Sequence, residues 1–237
     1  RDIGVTGVQT CALPISALRP EKQPYDLLKD LAPIVQIGVG GIFLGVSADL
    51  PIKSIDELLT RIRQEPGKHT YGSAGNGSTG HLLMSSLSSR LGLQMVHVPF
   101  ASSVEVVREM IAGRIQIGTL EPVLVASAQA SKVRPLAVAS TLRAPLSPNI
   151  PTLNEIGIPW NLDGFLGLFA RSGTPAPIIQ AINLEVNKLM ASEEGKVRLQ
   201  TMNSASPLKT SPGDFQDMLR RDLPAWRKIV EDNSISS

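Results

Sequence analysis

The chain has 237 residues, 42% hydrophobic and 19% charged, enough apolar material for a buried core and too much for a disordered tail. Its net charge of +2 is interspersed along the chain and only 4% of residues are aromatic, so neither the basic patch nor the stacking surface of a nucleic-acid binder is expected. The longest apolar stretch, Ile37–Val46, is broken by glycines and falls short of a membrane span, and the single Cys11 can form no internal disulfide.

Residues Val5–Ile15 read VTGVQTCALPI, which resembles the conceptual translation of a short-read sequencing adapter joined in frame to a coding sequence. Residues 1–16 are therefore set aside as a non-native leader, and Cys11 is expected to carry no function. From Tyr25 onward, strand-like and helix-like segments alternate. Ile42–Val46 reads as a strand, and Ser54-Ile-Asp-Glu57 is a capping box opening a helix with Ile55, Leu58, Leu59 and Ile62 on one face. His69–Ser73 is the next strand. A helix follows with Leu82, Leu83, Ser86, Leu87 and Leu91 on one face, stopped by Gly92. Met95–Val98 is a strand, and Ser102-Ser-Val-Glu105 caps a helix whose Val104, Val107 and Ile111 are expected to face inward. Ile115–Thr119 and Leu136–Ala139 are strands, and Thr152-Leu-Asn-Glu155 starts a short helix ended by Gly157 and Pro159.

Phe165–Ala170 is a further strand. Gly173-Thr-Pro175 launches a helix with Ile178, Ile179, Ile182, Val186, Leu189 and Met190 on its apolar face. A charged helical stretch and a short strand near Pro207–Lys209 lead to Ser211-Pro-Gly-Asp214, which opens a long terminal helix carrying Phe215, Met218, Leu219, Trp226 and Ile229. The alternation predicts an α/β fold with parallel sheets covered by helices on both faces.

The segment Tyr71-Gly-Ser-Ala-Gly-Asn-Gly-Ser-Thr-Gly-His81 lies between a predicted strand and a predicted helix. Its glycines let the backbone turn sharply and approach a ligand, and Ser78 or Thr79 can cap the helix. The first amides of that helix have no intrahelical partner and sit at its positive end, which suits an anion. Gly75-Asn-Gly77-Ser-Thr-Gly80 matches the dinucleotide fingerprint in form, but the acid needed after the next strand is missing: the first is Glu105, inside the following helix. A P-loop would need a lysine after the glycines. A nucleophile elbow around Ser78 would need glycine where Asn76 stands. His69, His81 and His97 form no metal-ligand spacing. Of the three, His81 directly follows the loop.

Three segments recur together with Tyr71–Ser78 of this loop: Met95-Val-His-Val-Pro-Phe100, Ile150-Pro-Thr-Leu-Asn-Glu-Ile-Gly157 and Gly167–Pro177. Pro24-Tyr-Asp26 with Asp30-Leu-Ala-Pro-Ile34 fits the same order. Their order and spacing closely resemble the solute receptors of the tripartite tricarboxylate transporter family, also called Bug or TctC-like proteins. The resemblance runs from about Ala17 to the C-terminus.

It implies a periplasmic-binding-protein-like α/β fold, with two lobes of mixed or parallel sheets joined by crossover strands and hinged over a ligand. Lobe I would comprise residues 17–35 plus 164–237, and lobe II, the ligand-binding one, residues 36–163, with the hinge near Ile34–Ile37 and Leu162–Leu166. The implied ligand is a small carboxylate: a dicarboxylate, tricarboxylate, acidic amino acid or aromatic acid. The implied role is delivery to membrane transporter subunits or a sensor, by a periplasmic monomer without catalysis, cofactor or metal. Ser73, Ala74, Gly75, Asn76, Gly77, Ser78 and Thr79 would line the anion end, with His81 beside them and Phe100, Ala101 and Thr119 to Glu121 flanking the cleft.

Three departures from the family pattern bear on specificity. Phe100-Ala-Ser102 stands where the family commonly has Tyr-Lys-Gly, Ile115-Gln-Ile117 where it commonly has an aspartate, and Leu120-Glu121 where it usually has Asp-Asn. Glu121 either accepts from an amino or hydroxyl group of the ligand or repels a second carboxylate. The family's opening strand, loop and helix would lie upstream of Ala17. The resemblance therefore also implies an incomplete first lobe with exposed sheet edges, and weak ligand binding by the chain. The competing reading is an α/β enzyme with a nucleotide or hydrolase site at the same loop.

Overall fold

The computed structural model describes residues 5–8, 17, 25–127, 132–205 and 210–235. Cys11 and Pro207–Lys209 lie outside the described residues. In chain order the elements begin β1 (Val5–Val8), β2 (Leu31–Gly40), β3 (Ile42–Ser47), α1 (Ile55–Gln64), β4 (His69–Ser73), α2 (Thr79–Leu91), β5 (Met95–Pro99), α3 (Ser103–Ile111) and β6 (Ile117–Leu120). They continue with α4 (Pro122–Val125), β7 (Val133–Ala139), a 3-10 turn at Asn154–Ile156, β8 (Gly164–Arg171), α5 (Ala176–Ala191), α6 (Glu193–Thr201) and α7 (Pro212–Asp232).

The strands form two sheets, one of five strands in the order β5-β4-β6-β3-β7 and one of three in the order β1-β8-β2. In the larger sheet β4 runs parallel to β5 and β6, whereas β3 is antiparallel to β6 and β7. The smaller sheet is wholly antiparallel. The mixed larger sheet accords with the mixed or parallel sheets expected, while in the smaller one β8 returns from an excursion through the other sheet and meets β2 antiparallel. The change of sheet falls at Gly41, between β2 and β3. A side chain at Gly41 would collide with the Ala139 carbonyl, so only glycine lets the two strands follow so closely.

Alternation along β3 explains why the larger sheet is covered on both faces. Ile42, Leu44 and Val46 pack with Leu58 and Ile62 of α1 and Leu82 and Leu83 of α2. Phe43 points the other way, into a cluster with Val106, Val107 and Met110 of α3. The first cluster continues into the smaller sheet through Trp160, Phe165, Phe169, Phe215 and Trp226, so the two sheets share one continuous core. Ser54, Ser78, Ser102, Ser192 and Ser211 each cap a helix by accepting from a first-turn backbone N–H, worth about 1 kcal/mol apiece.

Three expectations are corrected. In α3 the buried residues are Ser103, Val106, Val107 and Met110, while Val104 and Ile111 are each 39% exposed. The cap is where the sequence put it, and the buried face is set by packing of Val106, Val107 and Met110 against Phe43 and Leu120. In α5 no residue is fully buried. Ile179, Ile182 and Val186 pack on Ile34, Val35 and Ala170, but Leu189 is 48% exposed, because a three-stranded sheet covers only one flank of a 16-residue helix. Finally, Val5–Val8 takes part in the fold, pairing antiparallel with Gly167–Ala170. Strand β8 is therefore central rather than an open edge. Main-chain ladder bonds accept almost any extended segment, which is how a leader set aside on its sequence can fill this place.

Candidate functional site

Strand β4 ends at Ser73, and the loop turns through Gly75 (φ 106°) and Gly77 (φ 73°), conformations that suit glycine. Ser73 is fully buried. Its hydroxyl donates to the Gly75 carbonyl at 3.2 Å, accepts from the Ser78 hydroxyl at 3.3 Å and lies 2.7 Å from His97 Nε2. One proton arrangement satisfies all three bonds: His97 carries its proton on Nε2 and donates it to Ser73. The His81 ring stacks on His97 with centroids 3.9 Å apart at 8°, and the Tyr71 ring stacks on His97 at 4.9 Å. The Gly77 N–H donates to His81 Nδ1 at 3.0 Å, so His81 too is neutral. Burial lowers the His81 pKa. Burial and, after it, the neighbouring His81 lower that of His97 to about 4.

This network holds the loop from inside. Ser73, Gly77 and Ser78, with His81, form the brace, whereas Asn76 is exposed and Ala74 and Gly75 are partly buried. The Phe100 N–H donates to the Ser73 carbonyl at 2.9 Å, and its ring lies over Gly72. Ala101 is exposed, and its N–H donates to the Glu105 carboxylate at 3.0 Å. Glu105 is therefore engaged with its own helix rather than placed for a ribose. The Ser73–His97 pair has no carboxylate on its far side among its bonded partners, and Ser73 has no exposed surface. Among the described residues no cluster of His, Cys, Asp and Glu could hold a metal.

The open space lies on the other side of the loop. A narrow cleft is lined by Gly40, Gly41 and Ile42 at the sheet change, and by Thr79 and Leu83 of α2. Glu121, Pro122 and Ala139 close one side; Trp160, Leu162 and Gly164 close the other. Of the residues expected at the site, Thr79 and Glu121 line this cleft and Thr119 sits directly behind it. The α2 N-terminus is pressed against β6, since any side chain on Gly80 would collide with Thr119. The Thr119 hydroxyl donates to the Gly72 carbonyl at 3.3 Å. Ser78 caps α2 by accepting the His81 N–H, while the N–H groups of Thr79 and Gly80 find no acceptor among the described residues. These two donors stand at the positive end of a 13-residue helix whose first residue, Thr79, lines the cleft.

Sequence reasoning missed the wall opposite. Trp160 is held by Asn154, whose side chain accepts the Trp160 N–H at 2.8 Å and donates to its carbonyl at 2.7 Å. The Trp160 ring donates to the Leu162 carbonyl at 2.6 Å and meets Trp226 edge-on at 6.0 Å. The one available signal was that the chain has only two tryptophans. Glu121 is partly buried. Burial raises its pKa, opposed by a hydrogen bond from Ser103.

The sequence model of the "Tripartite tricarboxylate transporter family receptor" matches residues 9–235. The "UPF0065 protein in tcbD-tcbE intergenic region" of Pseudomonas sp. (strain P51) is 30% identical over 214 residues, 87% of this chain and 62% of the relative. The chain thus spans less than two thirds of that relative's length. Among solved structures, "R. palustris Rpa4515 with adipate" is 27% identical with a TM-score of 0.80, covering 99% of this chain and 77% of that one. "MatC (Rpa3494) from Rhodopseudomonas palustris with bound malate" has a TM-score of 0.78 at 21% identity, covering 95% and 78%, a likeness of fold alone.

Proposed function

Because the chain belongs to the tripartite tricarboxylate transporter receptor family, we propose that it serves as a periplasmic solute receptor whose cleft takes a small carboxylate. The observation that carries this reading is the start of α2, where the Thr79 and Gly80 amides have no acceptor among the described residues and Thr79 lines the cleft. A carboxylate there replaces water at two donors and meets the helix dipole, with no lysine or arginine required. The structural relative described with adipate supports the ligand class.

In this reading the protein binds without turnover and hands its ligand to membrane transporter subunits or a sensor. It acts as a monomer, and the two sheets close over the ligand by motion at 34–37 and 162–166. The lobes are 17–35 plus 164–237 and 36–163, with residues 1–16 a non-native leader. Of the loop, Thr79 touches the ligand, while Ser73, Gly77, Ser78 and His81 hold the loop in shape; Ala74, Gly75, Asn76, Phe100 and Ala101 stand at its margin. No helix among the described residues is long and apolar enough to cross a membrane. Calorimetry with hexanoate and with neutral hexanamide tests the proposal. Saturable binding of the acid and none of the amide is expected; equal binding of both, or of neither, contradicts it.

A further inference from the structure

We infer that Asn203 is a latch between the two sides of the cleft: its carboxamide ties the end of α6, on the side of the smaller sheet, to two loops of the larger sheet, and so restrains how far the sheets swing apart. The latch acts whatever the cleft binds.

Asn203 follows Met202, the cap of α6, and its φ of 51° lies in the left-handed region. Its N–H donates to the Gln200 carbonyl at 2.7 Å, and the next N–H, of Ser204, donates to the Leu199 carbonyl at 3.0 Å. These two bonds close the helix in a place that glycine most often fills and that asparagine tolerates. The helix end thus makes no demand on the side chain, yet Asn203 is fully buried. Its Oδ1 accepts the Leu146 N–H at 2.8 Å, and its Nδ2 donates to the Pro122 carbonyl and the Ser147 hydroxyl, each at 3.2 Å. A backbone N–H can only donate and a carbonyl can only accept, so the carboxamide has one orientation here.

The bonded groups lie on opposite sides of the sheet change. Pro122 opens α4 directly after β6 and lines the cleft, and Leu146 and Ser147 follow β7, so all three belong with the larger sheet. Helix α6 packs on α5, and α5 packs on β2 of the smaller sheet. The residues after Asn203 are fastened to β2 itself: Val39 and Ala205 exchange both backbone bonds at 2.8 Å, and the Ser204 hydroxyl donates to the Val39 carbonyl at 2.9 Å. Residues 203–205 therefore straddle the chain at Gly41. Gly40, which lines the cleft beside Pro122, runs between them, since a side chain on it would come 3.8 Å from Pro122 and 3.9 Å from the Ser204 hydroxyl. Connecting strands bend at low cost. A swing that carries α6 with the smaller sheet must instead break all three carboxamide bonds together, because they radiate from one side chain.

Amide hydrogen exchange and a distance measurement on the whole, ligand-free chain make the test. Asn203→Gly keeps the left-handed backbone and removes the carboxamide. The Leu146 N–H should be protected in the parent, although Leu146 is 50% exposed. In the variant it should exchange on the order of tenfold faster, while the Val39 and Ala205 N–H groups, held by backbone alone, keep their rates. Spin labels at the exposed positions Leu184 of α5 and Val96 of β5, with Cys11→Ser to remove the native thiol, read the swing itself. The parent should give one narrow distance distribution, and Asn203→Gly a broader one extended to longer distances. A side chain that only steadied the end of α6 would change exchange and leave the distances alone, so an unchanged distribution overturns the latch. If Asn203→Gly does not fold, the parent decides: a Leu146 N–H that exchanges like an unbonded amide, or a distribution that is already broad, overturns it, and a protected Leu146 N–H with a narrow distribution upholds it.

Discussion

The two sheets of this molecule solve the burial problem differently. The five-stranded sheet is covered on one face by α1 and α2 and on the other by α3, and its strand β3, paired on both sides, is buried along its whole length. The three-stranded sheet carries α5, none of whose residues is fully buried, and leaves Leu184 65% exposed. Sheet width accounts for the contrast: helices gain full cover only where enough strands lie beneath them. The cleft sits where the two regimes meet. One wall is fixed by the rigid sheet through Gly80 against Thr119, and the other hangs on Trp160 and its partner Trp226.

The largest expected effect lies in the covered sheet. Leu58→Ala should cost about 2–5 kcal/mol in urea unfolding, because Leu58 is buried among well-packed neighbours. A loss below about 1 kcal/mol would mean that α1 is loosely held. Gly80→Ala comes next, at about 1–3 kcal/mol, since its new methyl must displace the buried Thr119 side chain. A neutral Gly80→Ala would show that the α2 terminus is not seated against β6.

The histidine brace should make stability fall with acid. His97 is held neutral in the folded chain, its pKa lowered from 6.5 to about 4. Between these values the unfolded chain binds more protons, so stability is full above pH 6.5 and declines as pH drops toward 4. The lowered His81 pKa acts in the same direction. The urea midpoint should be lower at about pH 4.5 than at about pH 7, and His97→Gln should flatten that slope. A midpoint that does not respond to the variant would mean the brace is open in solution. The smallest effect belongs to the narrow sheet: Leu184→Ala should stay within about 0.5 kcal/mol of the parent. A larger loss would show that this face of α5 is covered in solution.

How much of this could be read from sequence follows the same division. In the covered sheet, period-two alternation at Ile42–Val46 and the serine caps at Ser54 and Ser102 act through neighbours in sequence, and the elements fall close to where these signals put them. The phase of α3 and the partial exposure of α5 depend on what packs against them, which no local pattern records. At the site, the glycine loop and its open amides were legible because a helix N-terminus is a local feature. The inward turn of Ser73 was not, because its partner His97 stands 24 residues away. Trp160 was missed for the same reason: its place in the wall depends on Asn154 and on Trp226 in the last helix. Strand β1 is the extreme case, because backbone pairing carries almost no side-chain signature.

The central claim is that a ligand carboxylate is held by the first amides of α2. Amide-resolved NMR of the labelled chain during a hexanoate titration tests it most directly. The account predicts that the Thr79 and Gly80 N–H signals move downfield and saturate together, while the Gly77 N–H, already bonded to His81, moves little. Saturable shifts confined to other residues, with Thr79 and Gly80 unmoved, would contradict it.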